Sequence, residues 1–207
     1  MDSLEEVKRQ GYWFRPGLLD GAKVAELGEQ VIAICERHGW LTGRRGFAWN
    51  TPEFAQLQTE VQSHPLFTEI RENPLLVQAA GSVLGGLARA YRGDICRVTL
   101  PDAPEFTTPP HQDQFYLQSA GEFWGAWIPL SDCPTERGGL AVVPASRQWG
   151  LLPHGEGGCV LPSDGVAWTE FDFRAGDVLL VQSLTVHRSL DNCSRDLRIS
   201  IDCRFAL

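Results

Sequence analysis

Apolar residues in the first part of the chain recur with the spacing of an α-helix. Within residues 24–35 they fall at three- and four-residue intervals, which places them in one stripe on a helical surface. Asp20 precedes the stripe and has a side chain suited to capping a helix, and Gly39 follows it as a stop. This pattern predicts a helix whose apolar face packs on a sheet.

Two more helices are predicted where a capping side chain stands directly before proline. Thr51 precedes Pro52 and Asn73 precedes Pro74, and proline is favoured at the first position of a helix. The second of these helices should end at Gly85, where the helical spacing stops. Residues 11–19 are expected to form a short strand followed by a turn.

Short runs rich in β-formers replace the helical spacing from residue 87 onward. Clusters of Gly, Pro and Asp separate these runs, which is typical of all-β sandwiches and barrels. The predicted strands are 87–92, 95–100, 123–130, 139–143, 168–173, 178–182 and 197–205, with a tight hairpin turn at 174–177. Adding 111–116 gives the eight strands of a double-sheet jelly roll.

The expected fold is therefore mainly β with N-terminal helices. Its core would be a double-stranded β-helix, the cupin-like jelly roll, flanked by helices. The 207 residues are expected to form one domain, in which residues 1–86 are mostly helical support and residues 87–207 form the jelly-roll core.

Charge and composition disfavour several classes of partner. The formal net charge is −8, which opposes attraction to nucleic acid and to anionic membranes. The acidic N-terminus lacks the apolar core of a secretory signal, and no run approaches the about 18 apolar residues of a membrane span. We expect a cytoplasmic protein, monomeric or homodimeric, with a small-molecule substrate and neither nucleic acid nor membrane as a partner.

The six cysteines are spread singly along the chain, without a CxxC pair or zinc-finger spacing. In a reducing compartment such cysteines are free thiols that pack as small hydrophobic side chains.

A candidate metal site begins with His111 and Asp113. Two prolines precede them and favour an extended backbone, on which residues two apart project from the same face. A second imidazole could come from His187, which follows the predicted strand 178–182. Two histidines and one carboxylate on an octahedral ion leave three positions open, the arrangement of non-haem Fe(II) oxygenases.

Arg198 lies eleven positions after His187, at the start of the last predicted strand. A buried guanidinium can grip a carboxylate through two hydrogen bonds, and a 2-oxo acid that chelates iron needs such an anchor at its far end. Structural alternatives remain for each residue. Arg198 could pair with Asp202 or Asp177, His187 could be a core histidine, and the first His-Asp pair could be an ordinary hydrogen-bonded pair.

Several segments together resemble the phytanoyl-CoA dioxygenase-like family of Fe(II)/2-oxoglutarate-dependent oxygenases. The matching segments are 108–113 (TPPHQD), 127–133 (WIPLSDC), 138–146 (GGLAVVPAS), 176–179 (GDVL) and 187–198, together with an opening that matches the family at 11–19. The resemblance covers nearly the whole chain.

This resemblance implies particular residue roles and cofactors. His111, Asp113 and His187 would be the catalytic iron ligands, and Arg198 would bind the distal carboxylate of 2-oxoglutarate. Weaker cosubstrate contacts are implied for Trp127, Arg97 and Ser200, although Trp127 could equally be a plain core aromatic. The implied cofactors are Fe(II), 2-oxoglutarate and O2, and the implied products are an oxidised small molecule, succinate and CO2.

The chain departs from the family pattern at residues 145–147, where Ala-Ser-Arg stands in place of the usual Gly-Ser-His. This difference leaves the substrate class open. Residues Gln148 to Val166 are rich in Gly and Pro and are expected to form a mobile lid, and Glu156 and Asp164 in it disfavour an anionic acyl-CoA. His38 is expected at a helix end, and His64 and His154 in loops.

Two functions of other classes remain open on the sequence. A cupin-like isomerase or hydrolase could use the same ligands with Zn(II), and a non-catalytic sensor or binding domain could retain the three ligands. Consumption of 2-oxoglutarate separates both of them from an oxygenase.

Overall fold

The computed structural model describes residues 3–42, 47, 51–163 and 165–207. The α-helices are α1 (Leu4–Gln10), α2 (Gly21–Arg37), α3 (Pro52–Gln62), α4 (Pro65–Arg71), α5 (Pro74–Leu84) and α6 (Asp113–Leu117). The strands are β1 (Tyr12–Arg15), β2 (Arg89–Thr99), β3 (Trp124–Pro129), β4 (Leu140–Val142), β5 (His154–Gly155), β6 (Gly158–Cys159), β7 (Thr169–Glu170), β8 (Val178–Gln182), β9 (His187–Ser189) and β10 (Arg198–Ala206).

Within these ranges the strands form two facing antiparallel sheets and a small hairpin. The larger sheet has the order β1-β8-β3-β10-β2, the smaller one has the order β7-β4-β9, and β5 pairs with β6. The side chains between the sheets form an apolar cluster that includes Trp127, Leu140, Phe173 and Leu179. This architecture confirms the predicted jelly roll.

The helices cover the outer face of the larger sheet, as the apolar stripe predicted. Strand β10 shows how one strand serves both faces, because successive side chains point to opposite sides. Ile199, Ile201 and Phe205 pack in the same buried cluster as helix residues such as Leu27 and Leu76. The alternate positions of β10 are polar and face the space between the sheets, where the candidate site lies.

The three predicted helices form where expected. The Asp20 side chain accepts a hydrogen bond from the Ala22 amide and so caps α2, which ends at Arg37 with His38 beyond it. Thr51 and Asn73 cap α3 and α5 in the predicted way. The predicted strand 178–182 coincides with β8.

Two helices, α1 and α4, were not predicted from the sequence. His64, expected in a loop, is the N-cap of α4: its Nδ1 accepts a hydrogen bond from the Leu66 amide, and Pro65 occupies the first helical position. The arrangement is the same as for Thr51 and Asn73, with an imidazole nitrogen in place of a side-chain oxygen.

The predicted strand at 111–116 is wrong. His111 makes an isolated antiparallel bridge with His187, and Asp113 then begins α6. The backbone turns there because the Gln114 amide donates to the Ser183 carbonyl instead of continuing a ladder. The strands predicted at 87–92 and 95–100 are one strand, β2, interrupted by Gly93 with a positive φ of 94°.

The cysteines are free thiols, as predicted, and all but Cys193 are buried. Among the described residues, no helix is long and apolar enough to cross a membrane.

Candidate functional site

The side chains of His111, Asp113 and His187 meet between the two sheets. The backbones of His111 and His187 exchange hydrogen bonds of 2.9 and 3.0 Å, and this bridge places the two imidazoles side by side, with ring centroids 4.1 Å apart. Asp113 Oδ1 lies 3.6 Å from His111 Nε2 and 3.8 Å from His187 Nε2. Each of the three residues offers one ligand atom, and these atoms all lie within 4.8 Å of one another, which is close enough to hold one metal ion.

Hydrogen bonds to the backbone fix the orientation of both rings. His111 Nδ1 donates to the Pro109 carbonyl and His187 Nδ1 donates to the Thr185 carbonyl, each over 2.9 Å. A carbonyl oxygen only accepts, so Nδ1 of each ring carries a proton, and Nε2 is the ring nitrogen that faces Asp113. Protein metal sites fix the tautomer of their histidine ligands in the same way. The donor set therefore fits a divalent transition metal.

The protonation states also suit metal binding. Burial lowers the pKa of His187 to about 3, and the neighbouring His111 adds to this effect. Burial alone would raise the pKa of Asp113, but the Arg204 guanidinium holds that pKa well below its usual range. At neutral pH, His187 is neutral and Asp113 is ionised, and these are the forms that coordinate a metal ion.

Arg204 is a site residue that the sequence analysis missed. It is 3% exposed, and both its Nε and its Nη2 lie 3.0 Å from Asp113 Oδ2. The other oxygen of Asp113, Oδ1, faces the two imidazoles. The signal for Arg204 was the period-two alternation of the last strand, which places it on the same face as Arg198 and Ser200.

Arg198 lies on β10, is 2% exposed, and carries a positive charge at neutral pH although burial lowers its pKa to about 10. Its Nη1 donates to Ser200 Oγ over 2.9 Å, and its Nε has no partner among the described residues. The acidic partners considered for it are engaged elsewhere. Asp202 pairs with Arg97 at 3.3 Å, and Asp177 accepts from the amides of Gly17 and Arg174.

A buried guanidinium without a carboxylate partner is costly unless an anion binds it. Two adjoining recesses show where that anion could lie. One is lined by Arg198, and the other is lined by His111, Asp113 and His187; Arg97 and Thr108 line both. The recess at Arg198 therefore adjoins the recess at the three ligand-type side chains, and Arg97 and Thr108 lie between them.

Two of the weaker predicted contacts, Trp127 and Arg97, line the recess at the three ligand-type side chains. Trp127 is buried opposite Asp202 in the sheet, packs against Phe173, and has an indole N–H without a partner among the described residues. Arg97 donates to Thr108 Oγ1 over 3.3 Å in addition to its ion pair with Asp202. Trp127 is thus both a core aromatic and a free hydrogen-bond donor beside the triad.

Gln112, between the two ligand-type residues, is fully buried and was also missed. Its side-chain amide donates to the carbonyls of Gly150 and Leu184 over 2.8 and 2.7 Å, and its carbonyl accepts from the Leu152 amide over 2.8 Å. It ties the segment that contains His111 to the start of the loop 148–166. His154 belongs to this connection and not to a free loop, because its Nε2 accepts from the Gln112 amide over 3.2 Å.

A larger cavity of about 400 Å³ opens beside His111 and Asp113. Its walls are mainly apolar, from Ile95, Pro109 and Leu117, and Glu156 borders it from the turn of the β5–β6 hairpin. The Cys159 amide donates to the Pro110 carbonyl over 2.7 Å and seats this hairpin next to the site. The predicted lid thus contains a docked hairpin; its mobility stays a prediction, and Asp164 lies outside the described residues.

The sequence matches the family model for phytanoyl-CoA dioxygenase (PhyH) over residues 7–200. This match spans well over half of the chain. The chain belongs to the phytanoyl-CoA dioxygenase family. The recognition made from the sequence motifs is confirmed, and so is the prediction that the protein is an oxygenase.

The relatives of this PhyH family member include a hydroxylase, and solved structures of other proteins share its fold. A 1-deoxypentalenic acid 11-beta-hydroxylase from Streptomyces arenae is 28% identical and is matched over 99% of this chain and 81% of its own length. The epimerase SnoN, crystallised with Fe3+, alpha ketoglutarate and nogalamycin RO, superposes with a TM-score of 0.72 at 23% identity over 98% of this chain and 81% of its own. The non-heme monooxygenase ThoJ superposes with a TM-score of 0.78 at 17% identity over 99% of this chain and 77% of its own.

Proposed function

We propose that this PhyH family member is a non-haem Fe(II)/2-oxoglutarate-dependent dioxygenase that oxidises a compact small molecule, most simply by hydroxylation. The observation that carries the proposal is the buried Arg198 guanidinium, whose acidic neighbours are engaged elsewhere, in a recess that adjoins the one lined by His111, Asp113 and His187. A dicarboxylate could bind a metal ion held by these three residues with one carboxylate and pair with the Arg198 guanidinium through the other.

The three ligand-type side chains would hold Fe(II) through His111 Nε2, His187 Nε2 and Asp113 Oδ1. When iron, 2-oxoglutarate and O2 are bound, they supply the oxidising chemistry and release succinate and CO2. The protein's contribution would be two imidazole nitrogens and one carboxylate oxygen, a ligand set that leaves positions on the metal for the cosubstrates.

Arg198 would bind the distal carboxylate of 2-oxoglutarate through charge-assisted hydrogen bonds. Ser200 holds the guanidinium through its Oγ contact at 2.9 Å, so the fork is oriented before the cosubstrate binds. The unpartnered indole N–H of Trp127 and the Arg97 side chain are proposed as further donors to the cosubstrate, because both line the recess at the three ligand-type side chains.

The cavity beside His111 and Asp113 would receive the substrate. A volume of about 400 Å³ suits a small molecule, and its mainly apolar walls favour an apolar substrate and exclude water from the reaction. Glu156 at its border opposes a strongly anionic group there, and the two arginines that also line the cavity, Arg97 and Arg204, already pair with Asp202 and Asp113. A compact apolar metabolite therefore fits this cavity better than an acyl-CoA does.

Conversion of 2-oxoglutarate tests the proposal directly. Protein loaded with Fe(II) in air should convert 2-oxoglutarate into succinate even without substrate, and Asp113→Ala should abolish this conversion. Under anaerobic conditions, addition of 2-oxoglutarate to the Fe(II) protein should give a weak visible charge-transfer band. A folded, iron-loaded protein that shows neither the band nor succinate would defeat the proposal and favour a Zn(II)-dependent hydrolase or a non-catalytic sensor.

A further inference from the structure

Strands β2 and β10 lose their regular pairing beside Asp113. Asp202 pairs with Ile95, but Arg204 pairs with Tyr91, so β2 carries extra residues between these two positions. Gly93 lies in this bulge with a φ of 94°, a conformation that favours glycine. Bulges next to active sites commonly re-aim a side chain.

The bulge fixes the backbone and the guanidinium of Arg204. The Arg204 amide donates to Asp94 Oδ1 over 3.1 Å, and its Nη1 donates to the Gly93 carbonyl. The remaining donors, Nε and Nη2, are both 3.0 Å from Asp113 Oδ2. One oxygen of Asp113 is therefore occupied by two charged N–H donors, while Oδ1 faces the imidazoles of His111 and His187.

We propose that Arg204 is a positioning residue that holds Asp113 as a one-oxygen metal ligand. This inference rests on the proposed function. A carboxylate can bind a metal ion through one or both oxygens, and a second oxygen from Asp113 would take a position that the cosubstrates need. Because Arg204 engages Oδ2, Asp113 presents Oδ1 alone and the open side of the site stays open.

A neighbouring ion pair provides a matched control. Arg71 Nε lies 2.8 Å from Asp94 Oδ2, so the half-buried Arg71 belongs to the same charged network as Arg204 but does not contact Asp113. Arg71→Gln removes a guanidinium from this network, as Arg204→Gln does, and leaves the Arg204–Asp113 contact in place. Both substitutions should lower the melting temperature of the metal-free protein.

The test measures Fe(II) affinity by anaerobic calorimetry in the wild type, Arg204→Gln, Arg204→Lys and Arg71→Gln. Arg204→Gln should raise the Fe(II) dissociation constant about 10- to 100-fold, as expected for loss of a partner that orients a ligand. Arg204→Lys should be intermediate, because one ammonium cannot reproduce the fork of a guanidinium. Arg71→Gln should bind Fe(II) like the wild type. At saturating Fe(II), 2-oxoglutarate should bind more weakly to Arg204→Gln, because the freed Oδ2 competes with it.

Unchanged Fe(II) and 2-oxoglutarate affinities in Arg204→Gln would overturn the inference. So would an equal loss of Fe(II) affinity in Arg71→Gln, because the effect would then follow general destabilisation. If Arg204→Gln does not fold, Arg204→Lys decides in the same way. Failure of the wild type to bind Fe(II) or to convert 2-oxoglutarate would instead count against the proposed function, so the two failures are distinguishable.

Discussion

Arg198 is the residue whose environment is hardest to explain without a bound anion. It is charged and buried, and the carboxylates of Asp202 and Asp177 are engaged by other groups. If it anchors 2-oxoglutarate, Arg198→Ala should cost about 2 to 5 kcal/mol of cosubstrate affinity, by analogy with truncated buried charge pairs. Titration of 2-oxoglutarate into the anaerobic Fe(II) protein measures this loss as a roughly thirtyfold or larger rise in dissociation constant.

The control for Arg198→Ala is the thermal stability of the metal-free protein. Among the described residues, Asp202 and Asp177 have partners other than Arg198, so Arg198→Ala leaves neither carboxylate buried without a partner. The melting temperature should therefore change little. Iron affinity should change little, because Arg198 is not among the ligand-type residues. Unchanged 2-oxoglutarate affinity together with a large drop in melting temperature would assign Arg198 a structural role.

The two histidines should be needed for iron and dispensable for the fold. Their rings contact each other and Asp113, whereas the apolar clusters of the sheets are built from other side chains. His111→Ala or His187→Ala should therefore abolish retention of Fe(II) at micromolar concentration, with a circular dichroism spectrum close to that of the wild type. Normal iron binding and turnover in either variant would show that the triad is wrongly assigned.

The cysteines should differ sharply in reactivity. Burial raises the pKa of Cys35 to about 12 and of Cys133 to about 11, and it also raises the pKa values of Cys96, Cys159 and Cys203. Cys193 is exposed. A thiol reagent at pH 8 should rapidly modify one thiol of the folded protein, and this rapid reaction should be lost in Cys193→Ser. After denaturation the reagent should modify all six thiols of the wild type. Rapid labelling of several thiols in the folded state would contradict this burial.

At the scale of elements, period and capping signals predicted most of the fold. Three kinds of local signal each specify their own element. They are the apolar stripe of α2, the capping side chains before proline at α3 and α5, and the apolar run of β8. The missed helix α4 had such a signal in His64-Pro65. An imidazole that caps a helix is less familiar than a hydroxyl or an amide.

The turn at Asp113 illustrates what local sequence could not supply. The two prolines correctly predicted an extended backbone before Asp113. The helix α6 begins there because Asp113 and Gln114 bind residues far along the chain. The Gln114 amide donates to the Ser183 carbonyl, and Arg204, 91 positions away, binds Asp113. The three ligand-type residues still converge, because the bridge between His111 and His187 replaces the expected strand.

Gln112 should be the main link between the candidate site and the loop 148–166. Gln112→Leu removes three part-buried hydrogen bonds and leaves the carbonyls of Gly150 and Leu184 without this donor. We expect a loss of about 1 to 3 kcal/mol in the free energy of unfolding, from the cost of unsatisfied buried groups. Urea denaturation of the metal-free protein measures it.

Gln114, two positions after Gln112, provides the matched control. Gln114→Leu removes one side-chain hydrogen bond, which Gln114 donates to the Ser119 carbonyl. Its effect should be smaller, and cleavage by a protease within 148–166 should increase in Gln112→Leu alone. Equal effects of the two substitutions on stability and on cleavage would show that Gln112 does not secure the loop.

At the scale of the whole molecule, the candidate site exists only when distant strands have assembled. Arg97 comes from β2, Trp127 from β3, His187 from β9, and Arg198 and Arg204 from β10. In the unfolded chain these groups are far apart, so a metal ion and a dicarboxylate that need several of them bind the folded state selectively. Such ligands stabilise the fold in proportion to the logarithm of their concentration over the dissociation constant.

Removal of the metal and of the cosubstrate should therefore lower the melting temperature without unfolding the protein at 25 °C. At 100 times its dissociation constant a ligand contributes about 2.7 kcal/mol, and a chain of this size changes its melting temperature by about 2 to 4 °C per kcal/mol. Saturating Fe(II) under anaerobic conditions should thus raise the melting temperature by about 5 to 11 °C, and 2-oxoglutarate should add to this rise. In Arg198→Ala the iron increment should persist while the 2-oxoglutarate increment largely disappears. A 2-oxoglutarate increment that is equal in both proteins, or present without metal, would place the dicarboxylate somewhere other than between the triad and Arg198.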